Sequence, residues 1–140
     1  MITALDTNVL VALWDDDEIL NSAALGALDG AYERGSIVVC GAVFAELMAF
    51  PKRTEAFLNG FLSDTNIGVD WKISETVWKT AGRAFRSYAD RRMKHKLEGP
   101  RRILADFLIG AHAYENGYSL LTLDEGIYKA AFPKLRIFRF

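Results

Sequence analysis

Five short apolar runs, separated by stretches with helical periodicity, constrain the fold of this chain more than any other feature. Apolar side chains fill these runs almost continuously instead of alternating with polar ones. Continuous apolarity is typical of parallel strands that are covered on both faces, whereas alternation is typical of a half-exposed sheet. The runs occupy residues 2–5, 37–40, 67–71, 120–123 and 135–140.

The stretches between these runs show apolar residues at helical spacing, bounded by start and stop signals. Ser74 is a suitable N-cap for a long helix, and Gly35 and the Asn116-Gly117 pair are suitable helix ends. Strands that alternate with helices predict an α/β fold. We expect a three-layer sandwich with a mostly parallel sheet of about five strands, as one domain over residues 1–140. Helices are predicted over 18–34, 42–50, 52–63, from 74 to a break at 99–100, 103–117 and 125–132.

Length and composition narrow the class of protein. Hydrophobic residues make up 51% of the 140 residues and charged residues 25%, as in ordinary globular proteins. Cys40 is alone, so neither a disulfide framework nor a cysteine-based metal site can form within one chain. The start of the chain lacks the pattern of a secretory leader, and no apolar run approaches ~18 residues. We therefore expect a cytoplasmic protein with no membrane segment.

The net charge of −1 hides a strong asymmetry. Residues 1–70 contain 11 acidic and 3 basic residues, whereas residues 71–140 contain 7 acidic and 14 basic residues. Eight of these bases lie between Arg83 and Arg102. An acidic part beside a basic part is typical of a protein that binds a cation and also contacts a polyanion.

Four acidic residues stand in surroundings that otherwise resemble core. Asp6 and Asp124 each follow an apolar run, and Glu46 and Asp106 lie within apolar helical stretches. Two carboxylates about 4 Å apart repel by roughly 4 kcal/mol at an effective dielectric near 20, so a converging group needs raised pKa values or a cation. Oxygen ligands without His or Cys suit Mg²⁺ or Mn²⁺, which activate water and neutralise phosphate charge.

Three segments and one acid give the chain a family resemblance. They are "LDTNVLVAL", Glu46 in the following apolar helix, "RILADFLIGAHA", and "LLTLDEGIYKAAFPKLRIF". In order and spacing the chain resembles the PIN-domain family, and within it the VapC-type toxin ribonucleases. The resemblance implies a parallel sheet of about five strands flanked by helices, and cleavage of RNA that depends on Mg²⁺ or Mn²⁺ and leaves a 5′-phosphate and a 3′-hydroxyl.

The resemblance also implies roles for single residues. The acids expected to catalyse cleavage are Asp6, Glu46, Asp106 and Asp124. We expect Asp6 and Asp106 to bind the principal ion, with Asp124 completing its far side and Glu46 orienting or deprotonating the attacking water. The polar residues expected to support these acids are Thr7, Asn8 and Thr122.

Partners follow from the same resemblance. We expect an RNA substrate, a VapB-like antitoxin that covers the acidic cleft, and a homodimer, with residues 42–63 as the candidate interface. The basic residues expected to contact RNA phosphates beside the acids are Arg91, Arg92, Arg101 and Arg102.

One residue departs from the family pattern, and three other classes of protein stay open as alternatives. Many relatives have a further acid where this chain has Gly126, which leaves the number of metal ions open. A haloacid-dehalogenase-like phosphohydrolase also begins with a strand that ends in Asp, but it needs a second Asp where Asn8 stands. A receiver domain needs an acidic pair and a late Lys that the sequence does not clearly contain. A non-catalytic metal- or RNA-binding module is the third alternative.

Overall fold

The computed structural model describes residues 1–95 and 103–140. Within them, five strands form one sheet in the order β3-β2-β1-β4-β5, and every neighbouring pair is parallel. The predicted α/β fold with a sheet of about five strands is confirmed, and the sheet is entirely parallel rather than mostly so. The strands are β1 (Ile2–Leu5), β2 (Ser36–Cys40), β3 (Ile67–Asp70), β4 (Ser119–Thr122) and β5 (Ile137–Arg139).

Helices connect the strands and cover the sheet. In the part of the chain that the structure describes, none of them is both long and apolar enough to cross a membrane. Helix α5 packs along α6, and α1 packs on α2. The helices are α1 (Thr7–Leu13), α2 (Glu18–Arg34), α3 (Gly41–Met48), α4 (Glu55–Asp64), α5 (Glu75–His95), α6 (Leu104–Glu115) and α7 (Glu125–Ala131).

The predicted helix signals have local structural counterparts. The Ser74 hydroxyl accepts a hydrogen bond from the Val77 amide at 3.3 Å, as an N-cap does. Gly35 follows α2 with φ 146°, and Gly117 follows α6 with φ 71°, a backbone region that glycine enters without steric cost. The predicted break at residues 99–100 lies outside the described residues.

Several boundaries differ from the prediction, and one helix was not predicted. Helix α1 follows Asp6 directly, although its run of Val9, Leu10 and Val11 is rich in β-branched residues and has weak helix propensity. Burial of Val9, Leu10 and Ala12 explains why a helix forms there, because packing outweighs propensity. The last strand is shorter than predicted, α3 ends two residues earlier, and α4 begins three residues later.

Cys40 and His112 are both buried in the fold. Cys40 is 1% exposed at the end of β2, as expected for a small core side chain. His112 is 2% exposed on α6, and its Nε2 lies 2.8 Å from Asp70 Oδ2. A buried imidazole needs such a polar partner, so His112 is a packed, hydrogen-bonded core residue.

The strand order places a crevice beside the central strand. From β1 the chain moves outward through β2 to β3, and then returns to add β4 and β5 on the other side. The order therefore reverses between β1 and β4. In open α/β sheets, ligands bind at the carboxyl ends of the strands where this reversal occurs. Asp6 follows β1 and Leu123 follows β4, so both lie at this position.

Candidate functional site

Asp6 is the centre of the candidate site. Its amide donates to the Leu121 carbonyl at 3.0 Å, which extends the β1–β4 ladder by one residue. Its side chain then begins α1, because Oδ1 accepts a hydrogen bond from the Thr7 amide at 2.7 Å. The residue is 6% exposed. The end of a buried strand and the start of a helix thus hold one carboxylate at the crevice.

Thr122 connects the two strands that border the crevice. Its hydroxyl donates to Asp6 Oδ2 at 2.8 Å and accepts from the Asp124 amide at 2.9 Å and from Asn8 Nδ2 at 3.3 Å. Asn8 Oδ1 in turn accepts from the Leu123 amide at 3.2 Å. One donated and two accepted bonds satisfy a hydroxyl completely, so the orientation of Thr122 is set by its neighbours.

Glu46 reaches the same region from α3. Thr7 Oγ1 donates to Glu46 Oε1 at 2.6 Å, while the Thr7 amide binds Asp6. Thr7 therefore links two acids that are 40 positions apart in the sequence. Glu46 is half-buried, unlike the acids at 15–18, which are exposed around the start of α2. A short bond between a hydroxyl and a charged carboxylate is strong compared with one between neutral groups.

Asp106 lies in the first turn of α6 and is half-buried. Its Oδ2 accepts a hydrogen bond from the Ile103 amide at 3.3 Å, the contact of a helix N-terminal carboxylate. Its negative charge also raises the pKa of Asp6, so it lies close enough for the two charges to interact. Asp106 thus has a local role at the helix start and an electrostatic link to Asp6.

Asp124 enters the site through its backbone. Its amide donates to Thr122 Oγ1 at 2.9 Å, and its half-buried side chain immediately precedes α7. Gly126, where many relatives have a further acid, is exposed in the first turn of this helix. The structure thus connects three of the predicted acids, Asp6, Glu46 and Asp124, to one hydrogen-bond network.

Tyr128 is a member of the site that the sequence did not predict. Its hydroxyl donates to Asp6 Oδ2 at 2.9 Å, and the side chain is 1% exposed. Burial and the charges of Asp6, Asp106 and Glu46 all raise its pKa, so it stays a protonated donor. The available signal was an aromatic hydroxyl in an apolar helix, because a buried tyrosine usually has a hydrogen-bond partner.

Burial dominates the electrostatics of Asp6. Desolvation raises the pKa of this carboxyl from 3.8 to about 6, against the hydrogen bonds from Thr122, Tyr128 and Thr7, which lower it. Three donors therefore compensate only part of the cost of burying the charge. A divalent cation at the crevice would lower this pKa further and remove the remaining cost.

The donor chemistry fits a hard divalent cation. The acids offer only oxygen atoms, which are the ligands of Mg²⁺ and Mn²⁺. Among the residues that the structure describes, no three Asp, Glu, His or Cys side chains are arranged as a ready metal site. The carboxylates are instead turned toward hydroxyl and amide donors. Both oxygens of Asp6 already have partners, Oδ2 two and Oδ1 one, so Oδ1 keeps room for one more.

The basic residues predicted to contact RNA differ in their environments. Arg91 is exposed on α5. Arg92 is half-buried, with its guanidinium carbon 5.9 Å from the centre of the Tyr88 ring. Tyr88 in turn packs 5.4 Å from Phe107, the residue after Asp106, so this part of α5 lies near the start of α6. Arg101 and Arg102 lie outside the described residues.

Fold and site together define a class: an all-parallel α/β protein with acidic residues gathered at the reversal of its strand order. Comparison of the sequence with models of protein families identifies the family. The PIN domain family matches residues 3–133. The chain therefore belongs to the PIN domain family. A comparison with curated proteins gave no match.

Solved structures show the same fold over nearly the whole chain. A chain of VapBC2 from Rickettsia felis, solved bound to a DNA fragment from its promoter, superposes with a TM-score of 0.65 at 20% identity, covering 99% of this chain and 98% of that one. FitAcB from Neisseria gonorrhoeae gives 0.64 at 23% identity, covering 99% and 96%. VapBC-1 from nontypeable Haemophilus influenzae gives 0.63 at 19% identity, covering 99% and 98%.

Proposed function

We propose that this protein is a ribonuclease dependent on Mg²⁺ or Mn²⁺ and acts as the toxin of a type II toxin–antitoxin pair. The observation that supports this best is the network around Asp6, in which a buried carboxylate is held by Thr7, Thr122 and Tyr128 beside further acids. Membership of the PIN domain family and structural similarity to VapBC assemblies point in the same direction.

In this proposal Asp6 and Asp106 hold the ion, and Asp124 completes its far side. The bound ion supplies a Lewis acid that lowers the pKa of water and neutralises charge on the phosphate. Thr122 and Tyr128 hold Asp6 Oδ2, and Oδ1, which among the described residues accepts only from the Thr7 amide, keeps room for the ion. Residues that orient metal ligands in this way commonly change affinity or activity by about 10–100-fold when removed.

Glu46 is the proposed base. Thr7 occupies one of its oxygens at 2.6 Å, so the other oxygen can orient the attacking water and accept its proton. Attack on phosphorus then breaks the bond to the 3′-oxygen, which takes a proton from solvent water and leaves as the 3′-hydroxyl, and the 5′-phosphate stays on the other fragment. The hydrogen bond from Thr7 keeps the base in one position relative to Asp6.

The proposed partners are a VapB-like antitoxin and a second copy of the chain, both in the cytoplasm. Residues 42–63 stay our candidate interface. Phe57 is 39% exposed there, and Trp14 packs against Phe57 and Phe61 with ring centres 5.6 and 5.2 Å apart. Arg53 lies over the Trp14 and Phe57 rings at 4.8 and 4.9 Å. An aromatic cluster with an arginine is a typical composition for the centre of an interface.

The hydrogen bonds of the Asn8 side chain argue against the phosphohydrolase alternative. A haloacid-dehalogenase-like enzyme needs a carboxylate at this position as acid and base. Here both ends of the Asn8 amide are used within the fold, Nδ2 toward Thr122 and Oδ1 toward the Leu123 amide. An amide in this role supports the loop after β4 and has no proton to exchange at neutral pH.

One set of assays separates the candidate functions. The pure protein is incubated with structured RNA and with a phosphate monoester, each with Mg²⁺, with Mn²⁺ and with a chelator. We expect metal-dependent RNA cleavage that Asp6→Asn abolishes and the exposed control Asp16→Asn retains. Monoester turnover would indicate the phosphohydrolase, and activity toward neither substrate would indicate a binding module. Wild-type cleavage by Asp6→Asn would overturn the assignment of the site.

A further inference from the structure

A groove of about 560 Å³ runs along α5 outside the acidic site. One wall is the face of α5 that includes Arg83 and Arg91, the opposite wall is the segment joining α7 to β5, and the floor is the end of α6. Its volume is within the range of clefts that hold ligands. Its lining includes Thr80, Arg83, Ser87, Arg91, Tyr114 and Lys134.

The groove continues into a second, smaller depression. Tyr114 and Lys134 line both, and the second adds Arg136 and Tyr118. Exposed cations therefore follow one another from Arg91 to Arg136 over adjoining surfaces. A continuous row of this kind fits an extended polyanion better than a single small anion.

Both walls are rich in positive charge. The lining of the groove includes three bases, Arg83, Arg91 and Lys134, against one acid. Glu115 is the acidic residue in the lining, and its Oε1 accepts a hydrogen bond from Thr80 Oγ1 at 2.8 Å. Arg83 Nη2 donates to the same hydroxyl at 3.1 Å, so the chain Arg83–Thr80–Glu115 orients one of the cations.

The floor of the groove offers an aromatic surface. Tyr114 is 39% exposed, and its ring centre lies 6.2 Å from that of the buried Phe132. Gly110 makes this packing feasible, because a Cβ there would lie 2.3 Å from a Phe132 ring carbon. Exposed aromatic rings between cations are the combination on which unpaired bases stack while their phosphates are neutralised.

The groove begins where the acidic site ends. Tyr88 packs near Phe107, the residue after Asp106, and Arg91, which lines the groove, lies about one turn further along the same helix. On the other side, α7 starts directly after Asp124 and ends at Ala131 in the groove wall, about 10 Å away at 1.5 Å per residue. A polymer that is cut at the acids can therefore continue into the groove.

We propose that this groove binds the sugar-phosphate backbone of a single-stranded RNA segment flanking the cleaved bond, with one base stacked on Tyr114. The inference deepens the proposed ribonuclease function and rests on it. Arg83 and Arg91 are separated by about 12 Å along the helix, so their guanidinium groups can contact different phosphates of one strand. An acidic peptide is the competing occupant, and the mixture of cations, hydroxyls and an exposed aromatic ring favours RNA.

The test compares charge-matched variants. Arg83→Gln/Lys134→Gln removes two cations from the groove, and Lys72→Gln/Lys79→Gln removes two exposed cations outside its lining. Binding of a labelled single-stranded RNA of about 16 nucleotides is measured by fluorescence anisotropy in chelator, between about 50 and 200 mM salt. We expect the groove variant to bind about 10-fold more weakly with a salt slope reduced by roughly 1.4, and the control variant to change less than about 2-fold.

Two further arms identify the ligand and the role of Tyr114. Tyr114→Ala is expected to weaken RNA binding about 5-fold, at the lower end of base-stacking energies, and to leave binding of inorganic polyphosphate unchanged. Equal effects of the two double variants on RNA would overturn the proposal. So would a groove variant that loses binding to a polyglutamate peptide but keeps its affinity for RNA.

These experiments give different results if the groove proposal is wrong and if the proposed ribonuclease function is wrong. If the wild type cleaves RNA and the groove variant binds and cleaves as the control does, the groove proposal is wrong and the ribonuclease stands. If the groove variant loses RNA binding while the wild type cleaves no RNA under any metal condition, the groove binds RNA and the proposed catalytic function is wrong.

Discussion

The acidic crevice and the basic groove differ in how tightly their charges are held. Asp6 is 6% exposed and receives three hydrogen bonds, whereas Arg91 and Lys134 are exposed side chains on open surfaces. A buried carboxylate held by several hydrogen-bond donors has one position and large interaction energies. Exposed cations have many positions and act through screened, additive attraction. Substitutions should therefore act sharply in the crevice and gradually in the groove.

The largest effect should come from an acid at the crevice. We expect Asp106→Asn to lower the single-turnover RNA cleavage rate more than about 100-fold, since removing one charge near the proposed ion costs several kcal/mol of transition-state stabilisation. Asn can still accept the hydrogen bond from the Ile103 amide at the helix start, so the fold should persist. Asp90→Asn on the exposed surface of α5 is the control, and equal rates for both variants would remove Asp106 from the mechanism.

The next effect concerns pH and stability in the absence of metal. The folded pKa of Asp6 is about 6 against 3.8 without burial, so the folded state binds the proton more tightly. The contribution of Asp6 to the free energy of unfolding should therefore be greatest below pH 3.8. This contribution should fall by up to about 3 kcal/mol as the pH rises through 6. Urea titrations in chelator across this range measure it. Asp6→Asn should remove this component, and an identical pH dependence in that variant would contradict the assignment.

Loss of the tyrosine hydroxyl should have an intermediate effect. Tyr128→Phe keeps the buried ring but removes a donor to Asp6 Oδ2, so we expect Mn²⁺ affinity to fall about 10–100-fold. The hydrogen bond lowers the pKa of Asp6, so the pH at which metal binds should also shift upward. A purely structural role would change stability alone. Tyr118→Phe, on the segment before β4, is the matched control for loss of a phenol.

The smallest effect should come from single cations beside the crevice. Arg91→Gln is expected to raise KM for RNA about 2–5-fold with little change in kcat, and to reduce the salt slope of binding by about one or less. Its exposure predicts no measurable change in the free energy of unfolding. A large loss of kcat in this variant would show that the basic groove and the acidic crevice do not act separately.

The same contrast explains what could be predicted from the sequence. Parallel strands and most helices follow from local patterns, namely continuous apolar runs, Ser74 as a cap and Gly35 as an end. Asp6 and Asp124 could be placed at one edge of the sheet because their positions follow from where strands end. The position of Asp6 in the site could therefore be predicted in part from local sequence patterns.

Other parts of the site depend on tertiary contacts. Thr7 meets Glu46 across 39 positions, and Tyr128 meets Asp6 across 122. No local pattern encodes such pairs, because the meeting of two side chains depends on how helices dock on the sheet. Helix α1 was missed for a related reason, since burial of Val9 and Leu10 outweighs the weak helix propensity of its sequence.

Equilibrium binding of Mn²⁺ tests the central claim most directly, because it requires no knowledge of the RNA. Isothermal titration at pH 7.5 compares the wild type with Asp6→Asn and with the exposed control Asp16→Asn, after circular dichroism has shown all three to be folded. We expect saturable Mn²⁺ binding by the wild type and the control, and loss of this binding in Asp6→Asn. Unchanged Mn²⁺ binding by Asp6→Asn would contradict the account.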